Sequence, residues 1–219
     1  LTGSGTAAAS NPWVSASPSV ATVNSSGVVT GVVAGTSIIT YTNNNGCSST
    51  QTVTINALPT ITGTASACVG ATTTLTGSGT AAVSNPWVSA SPAVATVNTS
   101  GVVTGVSAGS SVITYTNNNG CSSNLTFTIN ALPTITGTAS ACVGANTTLT
   151  GSGTAAASNP WVSATTSVAT VNSSGVVTGV SAGSSVITYT NNNGCSSTLA
   201  VTINALPTIT GTASACVGA

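Results

Sequence analysis

Apolar and polar residues alternate along this chain in short runs. Over residues 110–116, Ser111, Ile113 and Tyr115 fall on one side and Val112 and Thr114 on the other. Over residues 122–129, Leu125, Phe127 and Ile129 face away from Thr126 and Thr128. A period of two marks a half-buried β-strand. Val, Ile and Thr fill the runs, Gly, Pro and Asn interrupt them, and helix signals are absent. Short strands spaced roughly 8–12 residues apart predict an all-β sandwich.

The pattern then recurs as a whole. Trp13 to Tyr41, reading WVSASPSVATVNSSGVVTGVVAGTSIITY, returns almost unchanged from Trp87 to Tyr115 and from Trp161 to Tyr189, 74 residues on each time. A fixed period defines a repeat array, so the fold question reduces to one unit and its joins. Ala57-Leu58-Pro59, Ala131-Leu132-Pro133 and Ala205-Leu206-Pro207 mark the joins, because proline stops the ladder of the strand before it. This gives unit 1 at 1–58, unit 2 at 59–132, unit 3 at 133–206, and a segment 207–219. Unit 1 starts at Leu1, the counterpart of Leu75, and so lacks strand A and the start of B. Residues 207–219 read as strand A of a following unit, within a window of a longer array, or as a donor strand for a neighbouring subunit.

In unit 2 the expected strands are A at 60–62, extending toward 67, B at 72–76, C from Trp87, D at 94–97, E at 102–104, F at 110–116 and G at 122–129. The inner set is Leu75, Trp87, Val94, Val97, Val103, Ile113, Tyr115, Phe127 and Ile129. Trp13, Trp87 and Trp161 read as core anchors rather than sugar-stacking platforms, since each sits in a strand pattern. A unit of this size buries only about 60% of its surface, so neighbours and cross-links are expected to matter.

Composition narrows the function. The 219 residues include no Lys, Arg, Asp, Glu or His, whereas an ordinary domain is about 25% charged. No basic patch can hold nucleic acid. No carboxylate or imidazole can bind Ca²⁺, Mg²⁺ or Zn²⁺, and no cofactor is implied. Nothing can activate the abundant Ser and Thr hydroxyls as nucleophiles, and residue 1 is Leu, not Ser or Thr. Segments such as Gly3-Ser4-Gly5 lack the Lys of a phosphate loop and read as turns. An enzyme is not expected. No apolar run approaches the ~20 residues of a membrane helix, so membrane insertion is not expected. No signal peptide is visible, and the chain opens in mid-repeat, where an upstream one would fall outside it. An uncharged surface also lacks the repulsion that keeps proteins apart, which predicts self-association.

The six cysteines, Cys47, Cys68, Cys121, Cys142, Cys195 and Cys216, come two to a repeat. With no His or acid beside them they read as disulfides in an oxidising compartment, with buried free thiols as the alternative. Sequon-like sites at Asn24, Asn98, Asn124, Asn146 and Asn172 leave glycosylation open. The Asn-Gly steps at Asn45, Asn119 and Asn193 read as tight hairpin turns.

Trp-x-Ser, Val-Ala-Thr-Val, Gly-Val-Val-Thr-Gly, and Ala-Gly-Thr/Ser followed by Ile-Thr-Tyr resemble the bacterial immunoglobulin-like domain of group 2 (BIG2) in every unit. The added Ala-Cys-Val-Gly and Asn-Gly-Cys resemble tandem copies in long surface and secreted proteins of Bacteroidetes-like bacteria. The resemblance implies immunoglobulin-like sandwiches in stalks, adhesins and surface fibres, at a bacterial cell surface or outside the cell, without catalysis. The absence of charge departs from the family and puts in doubt any binding role that members achieve with acidic or basic groups.

In such a sandwich the A–B turn and the F–G turn lie at opposite poles, roughly 17–20 Å apart. A disulfide needs Cα atoms within about 7 Å. Cys68 within unit 2 is therefore badly placed for Cys121, and a bond from Cys68 to Cys195 across the join of units 2 and 3 is expected. By the same rule Cys47 and Cys121 reach back to units upstream, and Cys142 and Cys216 reach forward. The intradomain bond, lateral interchain bonds and free thiols stay open as alternatives. Three functions follow: a stiff stalk or self-assembled filament whose partner is another copy of the chain, head to tail or lateral; an adhesin whose faces bind glycans; and binding to ice or mineral through rows such as Thr52-Val53-Thr54 and Thr126-Phe127-Thr128.

Overall fold

The computed structural model describes residues 1–211 and residue 214. Unit 1 contains β1 (Trp13–Ser15), β2 (Ala21–Val23), β3 (Val29–Gly31), β4 (Gly35–Thr42) and β5 (Ser48–Ile55). Unit 2 contains β6 (Ile61–Thr62), β7 (Ser66–Cys68), β8 (Thr72–Thr74), β9 (Thr76–Gly77), β10 (Trp87–Ser89), β11 (Ala95–Val97), β12 (Val102–Gly105), β13 (Gly109–Thr116) and β14 (Ser122–Asn130). Unit 3 contains β15 (Ile135–Gly137), β16 (Ser140–Cys142), β17 (Asn146–Gly151), β18 (Trp161–Ser163), β19 (Ala169–Val171), β20 (Val176–Gly179), β21 (Gly183–Thr190) and β22 (Ser196–Asn204).

Unit 2 is a two-sheet sandwich. One sheet runs β10-β13-β14-β7, and the other is β11-β12-β8 with the β6-β9 pair beside it. Unit 3 repeats the arrangement as β18-β21-β22-β16 against β19-β20-β17-β15. Unit 1 holds only β1-β4-β5 and β2-β3.

Strand A changes sheets partway. Its first piece, β6, pairs antiparallel with β9, and its second, β7, pairs parallel with β14, with Ala67 opposite Ile129 and Cys68 opposite Asn130. Gly63 lies at the crossing with φ +124, and a Cβ there would stand 2.7 Å from the Thr74 carbonyl oxygen. Only glycine fits that backbone so close to strand B.

The core of unit 2 gathers Leu75, Trp87, Ala95, Val103, Ile113, Tyr115, Phe127 and Ile129 from both sheets. Val94 and Val97, expected inside, are only partly buried against this cluster, and Ala95 between them is the fully buried residue of strand D. Val94 belongs to the turn before the strand, where the N–H groups of Val94 and Ala95 both donate to the Ser91 carbonyl. That turn sets the phase, so Ala95 faces inward opposite Gly105. Trp87 stacks on Tyr115 with ring centroids 4.6 Å apart, a tilted aromatic pair. The same pairing recurs at Trp13–Tyr41 and Trp161–Tyr189. Trp87 and Trp161 are buried, whereas Trp13 is half-buried.

A serine pair ties the sheets together. The Ser89 hydroxyl donates to the Ala95 carbonyl at 2.6 Å and lies 2.9 Å from the Ser111 hydroxyl, which accepts the Ser91 N–H at 3.0 Å. Units 1 and 3 build the same network on Ser15–Ser37 and Ser163–Ser185. Polar groups inside a core are tolerated when every one is paired, and among the described residues no buried side-chain N or O lacks a partner.

Gly101 carries φ +80, and a Cβ on it would meet the Leu75 carbonyl oxygen at 2.3 Å and the Trp87 ring at 3.1 Å. Gly120 has a similar φ of +77 with open space around it. Gly120→Ala is therefore expected to cost about 1 kcal/mol from backbone conformation alone, and Gly101→Ala at least about 2 kcal/mol. Urea titration of both variants measures the difference; equal midpoints would show that the contact with Trp87 and strand B is not tight.

Candidate functional site

The junction between units is built from two turns. The first follows β7, where parallel pairing with β14 carries Cys68 to the pole at which β14 also ends. The Val69 N–H then donates to the Asn130 carbonyl at 3.0 Å, and Gly70 and Ala71 exchange backbone hydrogen bonds with Gly105. Cys68 is thus held in the rim of unit 2, next to the segment that leaves for unit 3.

The second turn joins β21 and β22. The Asn191 N–H donates to the Cys195 carbonyl at 2.9 Å, and the Asn191 side-chain oxygen accepts the N–H groups of Asn193 and Cys195. The Gly194 N–H donates to the Asn191 carbonyl, and Gly194 sits at φ +77. This is a type I turn closed by a left-handed glycine rather than a two-residue hairpin turn. The Asn-Gly steps at Asn45, Asn119 and Asn193 each occupy its last two positions. Asn is favoured at the first position because its side chain caps the turn.

The two turns meet. Cys68 and Cys195 are joined by a disulfide with Cα atoms 5.6 Å apart, linking unit 2 to unit 3 across 127 residues of chain, and that separation suits the bond without backbone distortion. Cys195 is buried, with its sulfur 4.0 Å from the Asn130 carbonyl oxygen. At the join of units 1 and 2, the Cys121 sulfur stands 4.0 Å from the Asn56 carbonyl oxygen, the same position one repeat earlier. Among the described residues Cys47, Cys121 and Cys142 carry no disulfide, with Cys47 and Cys142 exposed. Cys216 lies outside the described residues.

The other candidate positions serve the fold. The side-chain oxygens of Asn24, Asn98 and Asn172 cap the turns that lead into β3, β12 and β20. Asn124 accepts the Thr114 hydroxyl at 2.8 Å, and Asn146 opens β17. A shallow depression of about 290 Å³ lies beside the Trp87–Tyr115 pair, lined by Gly77, Gly79, Ala81 and Ser100 among others. Unit 3 repeats it beside Trp161 and Tyr189. It offers hydroxyls and glycine backbone but no charged group. Residue-by-residue reading missed the part-buried Ser89–Ser111 pair and the Asn117 cap, although Asn-Asn-Asn-Gly-Cys before every strand G was a visible cue for the second.

Fold and junction define a class: tandem immunoglobulin-like sandwiches linked pole to pole through paired turns. Residues 59–127 match the bacterial Ig-like domain (group 2). That match lies within unit 2, whose sequence units 1 and 3 repeat. The chain is 36% identical over 202 residues to ice-binding protein 1 of Shewanella frigidimarina, a match covering 81% of this chain and 23% of that protein. The chain thus spans about a quarter of that relative's length. Among solved structures it is similar to domains 4 and 5 of the S-layer protein SbsC, at 21% identity and a TM-score of 0.28, over 77% of this chain and 89% of that one. It is also similar to a C-terminal fragment of intimin in complex with the intimin-binding domain of its translocated receptor. There the identity is 16% and the TM-score 0.35, over 77% of this chain and 57% of that one.

Breaking the bridge should loosen the joined pair without dismantling either sandwich. Cys68→Ser is expected to lower the unfolding free energy by about 2–4 kcal/mol, read from urea midpoints of variant and parent under non-reducing conditions. Coincident midpoints would show that the bond adds nothing to folding.

Proposed function

We propose that this chain is a structural segment of a bacterial extracellular protein, a stiff stalk or filament whose work is mechanical. The observation that carries the reading is the disulfide from Cys68 to Cys195. Two sandwiches joined only by a short linker keep a hinge. A second covalent tie between the facing poles removes it, because bending about one connection would stretch the other. A disulfide also belongs to an oxidising compartment, which supports a location outside the cytoplasm. Load transmitted along the array then passes through β14, the linker and the Cys68–Cys195 bridge in parallel.

Absent charge fits the same role. With no Lys, Arg, Asp, Glu or His, the chain lacks the imidazoles, carboxylates and amines that most often act as general acids and bases or activate a nucleophile. Glycan adhesion, the alternative binding role, would use the shallow hollows beside Trp87 and Trp161, where both rings are buried.

Small-angle X-ray scattering tests the stalk. The oxidised chain is expected to give a narrow distribution of shapes with a fixed maximum dimension, and Cys68→Ser a broader distribution with a shorter mean dimension. Identical curves for the two would remove the bridge as the source of stiffness.

A second reading has one observation in its favour. The outer face of the β4–β5 pair presents Thr36 opposite Thr54, Ile38 opposite Thr52 and Thr40 opposite Thr50. Methyl and hydroxyl groups there form a regular lattice about 6.8 Å along the strand and about 4.8 Å across it. Ice-binding protein 1 is a relative by sequence, and such a lattice is a template for ordered water. Thermal hysteresis separates the readings: the stalk predicts no gap between melting and freezing, whereas an ice-binding face predicts a gap that Thr52→Asp abolishes.

A further inference from the structure

The Cys68–Cys195 bond closes a loop across 127 residues of sequence, and most of what folds units 2 and 3 lies inside it. The loop holds β8 to β14 of unit 2, the linker, and β15 to β21 of unit 3. Leu75, Trp87 and Phe127 of one core are within it, as are Leu149, Trp161 and Tyr189 of the other. Between Pro59 and Leu206, two stretches stay outside the loop, residues 59–68 and residues 195–206.

These two stretches run the same way. β7 lies parallel to β14, so strand A brings Cys68 to the pole facing unit 3. At the opposite pole the Ser123 hydroxyl donates to the Pro59 carbonyl, which sets the start of strand A beside the start of β14. In unit 3, β22 starts next to Cys195, against Asn130 of unit 2, and runs to the far pole. One covalent route therefore crosses both sandwiches without doubling back. It follows strand A of unit 2, the two sulfurs, and strand G of unit 3.

That route is nearly straight in the folded state. A β-strand rises about 3.3 Å per residue, and a fully extended chain reaches at most roughly 3.3–3.6 Å per residue. β22 is an unbroken strand of nine residues, paired with β21 from Ser196 to Ile203. Strand A is extended in β6 and β7, with slack chiefly at the crossing over 63–65.

We propose that this route is an extension stop, a tether that carries tension past the two sandwiches so that pulling neither unravels them nor lengthens the chain through them. Resting on the mechanical reading above, it adds a limit on stretch to the limit on bending. With the bond in place, tension enters strand A of unit 2 at Pro59 and leaves the same strand at Cys68. The hydrogen bonds between β7 and β14 are not sheared. Without the bond, the pull on unit 2 runs from Pro59 to Asn130, which drags β7 and β14 past each other. The ladder of Ser66, Ala67 and Cys68 on Thr128, Ile129 and Asn130 then takes the shear, and the sandwich can unravel. The residues the loop withholds amount to about 420–460 Å of extended chain.

Single-molecule stretching of the full 219-residue chain tests this. The chain is oxidised, its free thiols are capped with iodoacetamide, and peptide handles are fused to both ends. Fully stretched, it is expected to be about 430 Å shorter than the same chain in dithiothreitol or carrying Cys68→Ser. At loads that unravel units 2 and 3 of the Cys68→Ser chain, the oxidised parent should show no step from those units. Cys195→Ser leaves strand A unaltered and should lengthen the chain equally, so a local weakening of unit 2 by serine at position 68 is not mistaken for the effect. Equal final lengths with and without the bond, or steps in the oxidised chain that release the looped residues, would overturn the proposal. The stalk reading is judged separately by scattering. A curve unchanged by Cys68→Ser, with the length difference still present, removes the stiffness and leaves the stop; a changed curve with equal lengths does the reverse.

Discussion

One backbone pairing governs the rest of this structure: β7 lies parallel to β14, and β16 parallel to β22. Strand G ends where the chain leaves for the next unit, so a strand parallel to it must end at the same pole. An antiparallel partner would have ended at the far pole and carried Cys68 away from unit 3. Parallel pairing also closes the core, because it seats Ala67 beside Ile129 and brings the following turn onto Gly105. Core closure and the placement of the half-cystine are therefore consequences of the same three paired residues.

The absence of charge throws weight onto groups that are usually secondary. Hydroxyl and amide side chains satisfy the interior and the turns: Ser89 with Ser111, and Asn117 over its own turn. Such bonds contribute about 1 kcal/mol each at most sites, but none is weakened by salt as an ion pair would be. Edge strands are commonly protected by lysine. Here β10 and β11, which end their sheets, are only three residues long, too short to template a long intermolecular ladder.

Much of the fold was readable from alternation alone, because strands F and G are long enough to show their phase. Ile113 and Tyr115 face Phe127 and Ile129 in the core, as their spacing requires. Strand D shows where this reading stops. Three residues cannot reveal a phase, hydropathy favours both valines, and the preceding turn takes Val94 out of the strand and faces Ala95 inward on the same side as Val97. Strand A was legible as a strand but not as two pieces in different sheets, since the switch depends on how close Gly63 comes to Thr74. At the junction, the pole occupied by each cysteine follows from counting strand directions. The Cys195 environment does not: its turn is closed by the Asn191 side chain, and its burial comes from unit 3 meeting unit 2.

Variation among the units locates the tightest constraint. One core position differs from copy to copy, occupied by Val53, Phe127 and Val201, and Gln51, Leu125 and Leu199 vary at its edge, whereas the other core positions hold the same residue in every unit. A core can absorb such changes within a single unit by repacking. PTITGTASACVGA and TNNNGCSS, the two segments that build the junction, are identical in every copy present. Each must fit its own sandwich and also the facing pole of a neighbour. A substitution in one copy would then need a matching change across the join, and any copy must meet any other if the joins are equivalent. Identity at the poles, beside a core that is almost as uniform, is what equivalent joins between equivalent sandwiches require.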